Sequence, residues 1–291
     1  MDKNLTSFRE MLSLRGLTDH TIASYSTYIS AYLQYLSDNG PTAPEDASWQ
    51  QMRDFIFWVQ NTRNLSDRTI NTCISQLRFF TLYVLHKPWD PYQLPFRKFD
   101  SYTPFIPSRE EMKTFLFSIS DIKFKAIRCL MFSSGLRVGE VRHLKCSDIE
   151  HSRKRIHIRA SKNRSDRYVP LSDNVWELIL RYWYSFPAGS RPKDWLFPQK
   201  KKPDRPIDHQ RIPSFILAHE KELGWEHRFT CHTFRHAFAT YHYEDGTDLL
   251  TLKALMGHRS VSSTVIYVHL ASNALMASSN PFDRMAGGFY E

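Results

Sequence analysis

Five prolines between residues 87 and 108 divide this chain, and that break limits the fold more than any other feature of the sequence. The prolines stand at positions 88, 91, 95, 104 and 107, and the stretch around them has no apolar period. Proline fixes its own φ and keeps the preceding residue out of the helical region, so this spacing favours a semi-extended linker. The chain has 291 residues, enough for one large or two ordinary domains. We therefore expect domains at residues 1–87 and 108–291, joined by a linker at 88–107.

The part before the break has the pattern of a small helical bundle. Apolar residues recur at helical spacing between a start signal at Thr18-Asp19 and a stop signal at Asn39-Gly40. A second apolar stripe covers residues 52–59, and a third begins at Ser66-Asp67. Short polar connections between such stripes are typical of antiparallel helices in a bundle.

The part after the break is predicted to be mostly helical with a small β-ribbon. Helical patterns cover residues 109–119, 122–134, 138–144, 174–184, 210–223, 233–243 and 249–255. Two short runs at 156–159 and 168–171 are rich in β-branched and aromatic residues, and they enclose a polar, basic stretch. That pattern predicts two strands joined by a turn. The expected fold class is mainly α, with a small antiparallel sheet in the second domain.

The net charge of +9 lies entirely in the second part of the chain. Residues 1–100 hold 10 basic and 10 acidic side chains, whereas residues 101–291 hold 29 basic and 20 acidic ones. Such an excess favours an anionic partner, most often nucleic acid, although a basic enzyme without such a partner has the same arithmetic.

Several other classes of protein are disfavoured. No stretch approaches the ~20 apolar residues that a membrane span requires, and the first residues have no apolar signal core. The four cysteines, at positions 73, 129, 146 and 231, form no CxxC pair, so neither a disulfide framework nor a zinc ribbon is indicated. We expect reduced thiols in a cytoplasmic protein that has no contact with a membrane.

The segment around the predicted ribbon is the most basic in the chain. Between positions 153 and 167 a single acid, Asp166, faces seven basic residues: Arg153, Lys154, Arg155, Arg159, Lys162, Arg164 and Arg167. A two-stranded ribbon fits a DNA groove, where such side chains neutralise phosphates. A solvated, charged turn is the alternative interpretation.

A second basic signal lies on a predicted helix, in His232-Thr233-Phe234-Arg235. Positions i and i+3 share a helix face, so the imidazole and the guanidinium project together. Arginine matches phosphate oxygens and histidine exchanges protons near neutral pH, so the pair suits phosphoryl transfer. His232 and His236 also have the spacing of a zinc-binding helix, but Thr233 stands where a metalloprotease needs a Glu base. No third ligand is evident, and we expect no metal.

Taken in order with these residues, three further motifs resemble the tyrosine recombinase (phage integrase) family, most closely its short Xer-like members. They are Gly-Leu-Arg-Val-Gly-Glu at 135–140, Leu-Met-Gly-His-Arg-Ser at 255–260, and Val-Ile-Tyr-Val-His at 265–269. The residues that match the family's catalytic positions are Arg137, Lys162, His232, Arg235, His258 and Tyr267. The resemblance covers the whole chain, because the family carries a four-helix, SAM-like core-binding domain before its catalytic domain.

The resemblance implies a reaction that needs no metal or other cofactor. Tyr267 would attack a scissile phosphodiester and form a 3′-phosphotyrosyl bond, while Arg137 and Arg235 hold the phosphate oxygens. His232 would serve as the base for Tyr267, His258 would donate to the phosphate, and Lys162 would protonate the 5′-oxygen. The DNA backbone around that phosphate would be held by ribbon residues: Arg155, Arg159, Arg164 and Arg167.

The implied partners are double-stranded DNA with a specific recombination site and further copies of the chain. The family works as a homo-tetramer on two DNA sites, and we expect a monomer or dimer when the protein is free. Residues 270–291 are the candidate oligomerisation tail, docking on a neighbour or folding back on their own domain. Integration, excision, dimer resolution and movement of a mobile element are not distinguished.

Two alternatives to a site-specific recombinase remain open. A type IB topoisomerase-like enzyme shares the chemistry and would relax plasmid DNA that lacks any specific site. A non-catalytic DNA-binding regulator would keep the fold without the reaction, although a binding role has no use for Tyr267 together with Lys162.

Overall fold

A computed structural model describes residues 2–40, 42–99, 103–159, 166–226 and 228–271. The chain forms two compact units, which divide between residues 102 and 103. Both are mainly helical, and one small antiparallel sheet lies in the second, which confirms the predicted fold class. Across the described ranges, every helix is too short or too polar to cross a membrane.

In its described residues, the N-terminal unit is a bundle of four α-helices. They are α1 (Lys3–Leu14), α2 (Asp19–Asp38), α3 (Trp49–Arg63) and α4 (Asp67–Tyr83). The predicted start signals are N-caps, since the side chains of Thr18 and Ser66 accept hydrogen bonds from main-chain N–H groups of the first turn. The core between the helices is aromatic, with Tyr32 packed against Phe55 and Phe80.

The second unit has eight α-helices among its described residues. They are α5 (Arg109–Phe117), α6 (Ile122–Ser133), α7 (Val138–Arg142), α8 (Asp173–Tyr184), α9 (Arg211–Glu222), α10 (Cys231–Glu244), α11 (Leu249–Met256) and α12 (Ser262–Leu270). Helix α10 lies at the centre and packs against α6, α9, α11 and α12. Its residues Phe234 and Ala237 have no exposed surface, so the helix is fixed by the core on several sides.

Over the ranges that the structure describes, the sheet of the second unit has three strands in the order β1-β2-β3. They are β1 (Ile149–Glu150), β2 (Arg155–Ile158) and β3 (Arg167–Pro170), and both pairs are antiparallel. The sequence predicted β2 and β3 but not β1. On one face Ile156 pairs with Val169, and both side chains are buried in the core.

A glycine turn after α6 brings the segment at residues 135–140 onto α10. Gly135 has φ +61°, and a Cβ there would stand 2.6 Å from the ring of Phe238 on α10. Only glycine allows this approach without moving the ring. The close contact places the Gly135 carbonyl over α10, and it sets Arg137 at the start of α7.

Candidate active site

Helix α10 carries three of the site's side chains on its first two turns. Thr230 caps the helix by accepting hydrogen bonds from the N–H groups of His232 and Thr233. His232 is exposed, whereas Arg235, three residues on, is 3% exposed and His236 is half-buried. The helix therefore presents one residue to solvent and holds the next two inside the unit.

Arg235 is fixed by main-chain carbonyls from two other segments. Its Nη1 donates to the Gly135 carbonyl at 2.5 Å, and its Nη2 donates to the Met256 carbonyl at the end of α11. Burial, together with the positive charge of Arg137, lowers the pKa of Arg235 to about 9. The guanidinium thus remains charged at neutral pH, and its position is set by the fold.

His258 is held in one tautomer by its two neighbours. Arg235 Nη2 lies 3.1 Å from His258 Nε2, and His258 Nδ1 lies 2.9 Å from the Thr264 hydroxyl. Because a guanidinium only donates, Nε2 must accept, and the ring proton is therefore on Nδ1. Burial, and then the charge of Arg235, lowers the pKa of His258 to about 4, so the ring is neutral. Its Nε2 is an acceptor here, not the phosphate donor expected from the sequence.

Glu140 links Arg137 to the sheet. Its carboxylate accepts the main-chain N–H of Arg137 at 2.8 Å and the Arg137 guanidinium at 2.9 Å. The same carboxylate accepts two hydrogen bonds from Arg167 on β3, at 2.8 and 2.9 Å. Burial alone would raise the pKa of Glu140, but Arg167 and then Arg137 lower it to about 2. Both arginines are therefore aligned by one carboxylate.

Arg167 differs from its predicted role as a DNA contact. Its side chain is 9% exposed, is paired with Glu140 on two sides, and donates from Nε to the Leu255 carbonyl. Its aliphatic part also packs within 3.0 Å of where a Cβ on Gly257 would stand. Arg167 belongs to the support of the site, and no sequence signal separated it from its basic neighbours.

Arg155 and Arg159 lie on the ribbon. Both are paired with acidic residues that come before the ribbon in the sequence. Arg155 donates to Glu150 at 2.8 Å and stands over the Tyr168 ring at 3.8 Å, whereas Arg159 donates to Asp148 at 2.5 Å. Their side chains are 31% and 54% exposed. The ribbon is thus less positive than residues 153–167 alone suggested, because its counter-ions come from β1 and the turn before it.

Tyr267 lies inside the unit, on α12. It is 2% exposed, and its hydroxyl is 3.1 Å from Nδ1 of His236. Burial raises the pKa of Tyr267, and the charges of Arg235 and Arg137 oppose that rise. The partner of the tyrosine is thus His236 rather than His232, whose ring lies 6.2 Å from that of His236 on the exposed side.

Some predicted positions lie outside the described residues. Lys162 and Arg164 fall in the undescribed stretch 160–165, and the expected oligomerisation tail falls largely in 272–291.

A cavity of about 580 Å³ lies between Arg137, the exposed His232 and the ribbon. Its walls include Arg137, His232, His157 and Arg159. Among the residues whose positions are described, no three His, Cys, Asp or Glu side chains are grouped to hold a metal ion. Two carboxylates, Glu140 and Asp148, also line the cavity, and each is paired with an arginine of the same wall. The remaining cationic and imidazole groups suit an anionic ligand.

Comparisons with known proteins identify the family of this chain. Residues 109–274 match the phage integrase family, and residues 5–91 match the N-terminal SAM-like domain of phage integrases. The protein y4qK of Sinorhizobium fredii is 31% identical over 275 residues, which cover 94% of this chain and 86% of that protein. Tyrosine recombinase XerD of Oceanobacillus iheyensis is 29% identical over 278 residues, or 90% of this chain and 91% of that protein.

Solved structures share the fold over nearly the whole chain. The Tn1549 transposon integrase in complex with transposon right end DNA has a TM-score of 0.71 and 15% identity, covering 98% of this chain and 99% of that one. XerH site-specific recombinase, in a post-cleavage complex with a palindromic difH substrate, has a TM-score of 0.72 and 18% identity, with coverage of 95% and 82%.

The family match extends over more than half of the chain and places the protein among the enzymes that cleave and rejoin DNA. It belongs to the phage integrase family of tyrosine recombinases, and its N-terminal unit matches the SAM-like domain of that family.

Proposed function

We propose that this protein is a site-specific DNA recombinase whose nucleophile is Tyr267. The observation that carries the proposal is the clustering of a buried tyrosine with two guanidinium groups. The charges of Arg235 and Arg137 both lower the pKa of Tyr267, against the rise that burial causes. A phenolic oxygen beside two fixed cations suits attack on a phosphodiester, because the cations stabilise the charge that develops on phosphorus.

Each matched residue has a role in this scheme. Arg137 and Arg235 hold the two non-bridging oxygens of the scissile phosphate. His232 faces the cavity, where it contacts the phosphate from the solvent side. His258 orients Arg235 by accepting its hydrogen bond, and Lys162 protonates the 5′-oxygen that leaves. The product is a 3′-phosphotyrosyl bond, which stores the energy of the broken ester for strand exchange.

The partners and location follow from the same proposal. The substrate is double-stranded DNA with a specific recombination site, bound by a core-binding domain at residues 1–87 and a catalytic domain at 108–291. Arg155, Arg159 and Arg164 contact backbone phosphates, and Arg167 supports Glu140. Four copies act on two DNA sites in the cytoplasm, with residues 270–291 as the oligomerisation tail.

The test is covalent trapping of the protein on nicked DNA. A randomised duplex library is first selected for binding, and recovered duplexes are rebuilt with a nick at each position in turn. A short strand released beside the nick cannot religate, so the covalent intermediate accumulates. The wild-type protein should form the adduct, Tyr267→Phe should bind without forming it, and Tyr184→Phe, an exposed tyrosine on α8, should behave as wild type.

Other outcomes assign other functions. Binding without trapping by the wild-type protein would indicate a DNA-binding regulator. Trapping on any duplex, with relaxation of plasmid DNA and no strand exchange, would indicate a topoisomerase. An adduct that persists in Tyr267→Phe would overturn the assignment of the nucleophile.

A further inference from the structure

His236 is the only histidine with a hydrogen bond to Tyr267 that the described part of the chain records. Its Nδ1 lies 3.1 Å from the phenolic oxygen, and its ring centre lies 5.8 Å from that of Tyr267. Helices α10 and α12 pack against each other, so this contact is part of the core of the second unit. We propose that His236, and not His232, accepts the proton of Tyr267 when the nucleophile attacks. This inference rests on the proposed function.

The direction of the hydrogen bond follows from the charges around the phenol. Arg235 and Arg137 act on the Tyr267 oxygen, and guanidinium groups only donate. The oxygen lone pairs are therefore best turned toward the arginines and the proton toward His236. With the proton of the neutral ring on Nε2, Nδ1 is free of hydrogen and accepts from the phenol.

The groups around His236 keep it neutral before DNA binds. Burial, and then His232 and Arg235 on its own helix, lowers the pKa of His236 to about 4. From the other elements, Tyr267 on α12 and His258 after α11 face it. A phosphodiester held by Arg137 and Arg235 brings a negative charge that offsets Arg235, which makes the imidazolium more accessible in the complex than in the free protein.

The proton and electron balance of the step is simple. The Tyr267 O–H bond breaks as the bond from oxygen to phosphorus forms, and the proton passes to His236 Nδ1. The electron pair of the P–O5′ bond leaves with the 5′-oxygen, which takes a proton from the general acid assigned above to Lys162. In religation the 5′-hydroxyl attacks phosphorus and returns its proton to Lys162. The bond between phosphorus and the phenolic oxygen breaks with its electron pair on that oxygen, and His236 returns the proton to the departing phenolate.

The experiment measures the rate of adduct formation on nicked DNA whose scissile 5′-oxygen is replaced by sulfur. A thiolate leaves without protonation, so this substrate removes the need for a general acid and isolates the base. His236→Asn keeps an acceptor near the position of Nδ1 but cannot take the proton. We expect its rate to fall on the order of 10²-fold or more, and the rise of the wild-type rate with pH to disappear.

The matched control is His242→Asn on the same helix. His242 is also half-buried, but it is bonded to Thr247 away from the site, so its variant should keep the wild-type rate and pH profile. A His236→Asn variant with the wild-type rate overturns the inference. So does loss of the pH-dependent rise in His232→Asn with its retention in His236→Asn.

A measurement on the wild-type protein tests the inference even if the His236→Asn variant fails to fold. Nitrogen-15 NMR of labelled histidines should show His236 Nδ1 as an unprotonated acceptor, and the signal should move in Tyr267→Phe. A proton on Nδ1 in the wild-type protein overturns the inference. Failure of the wild-type protein to form any adduct overturns the proposed function itself, and is thereby distinct from these outcomes.

Discussion

The back and the front of the active site are built in different ways. At the back, formed by Arg235, His236, His258 and Tyr267, every side chain has a hydrogen-bond partner that the fold supplies. At the front, formed by His232, Arg155 and Arg159, the histidine is exposed and the arginines are paired with carboxylates at the edge of the sheet.

Folding fixes the hydrogen-bond partners of the side chains at the back, whereas a bound ligand can change the partners of those at the front. Buried donors that bond to main-chain carbonyls cannot turn away without breaking the core, so the back is preorganised for one phosphate. The Arg155–Glu150 pair is partly exposed and worth little in water, so a DNA phosphate can replace its carboxylate at small cost. Asp148 is 3% exposed, but it still accepts the main-chain N–H of Lys145 when Arg159, which is 54% exposed, turns to a phosphate. The back should therefore control rate, and the front should control affinity.

The largest effect is expected at Arg235. In Arg235→Lys a point charge replaces a planar fork, and it cannot bond to two carbonyls and a phosphate together. Loss of such a transition-state donor costs about 10²–10³ in rate, whereas DNA affinity should change little. The check is single-turnover cleavage at saturating DNA, with Arg211→Lys on α9 as the control. A parallel loss of affinity and rate would contradict the division between back and front.

A smaller effect is expected for Glu140→Gln. The carboxylate of Glu140 is 7% exposed and bonds to Arg137 and Arg167, so its neutralisation leaves two guanidinium groups without their counter-charge. We expect the free energy of unfolding to fall by about 1–3 kcal/mol, and cleavage to slow because Arg137 loses its alignment. Denaturant unfolding measures the first effect. Glu177→Gln, on the exposed side of α8, should change neither quantity.

Stability should also depend on pH through the two buried histidines. The pKa values of His236 and His258 fall from 6.5 to about 4 on folding, so the folded state favours the neutral rings. Their contribution is complete above pH 6.5 and is lost as the pH falls toward 4, because the unfolded chain then binds protons that the folded chain excludes. Melting temperatures measured across this range should fall more steeply for the wild-type protein than for a His236→Asn, His258→Asn double variant; equal slopes would refute the buried, neutral state.

The smallest effect on rate is expected at the front. Arg155→Gln and Arg159→Gln each remove one phosphate contact, so each should reduce the slope of log affinity against log salt by about 0.9. The cleavage rate at saturating DNA should stay near that of the wild type. Titrations at several salt concentrations test this, and an unchanged slope would mean that these arginines remain with Asp148 and Glu150 in the complex.

Local sequence signals predicted the helices well where caps and stripes coincide. Helix α2 begins and ends beside its predicted signals because Thr18 and Asn39 are true caps. Helix α12 was missed, since its Val-Ile-Tyr-Val run has β-branched residues and Val261 provides no side-chain cap. That segment is helical because it packs on α10 and α11, which is information a local pattern does not hold.

In the candidate site, too, local sequence patterns did not predict the contacts that depend on tertiary packing. Motif order predicted Arg137, Arg235, His258 and Tyr267, and the structure brings these four together. It did not separate Arg167 from the exposed arginines, because the partner that buries it is Glu140, 27 positions earlier. It also assigned the base for Tyr267 to His232, because both histidines lie on α10 and only the packing of α12 decides that His236 meets the tyrosine.

The most direct test of the account is the identity of the residue that becomes attached to DNA. Trypsin cleavage after Arg259 and Arg284 yields a peptide whose single tyrosine is Tyr267. Trapped complex, digested with nuclease and trypsin, should give this peptide with the mass of a 3′-linked nucleotide on Tyr267. A nucleotide on any other peptide, or one linked through its 5′-phosphate, would contradict the account.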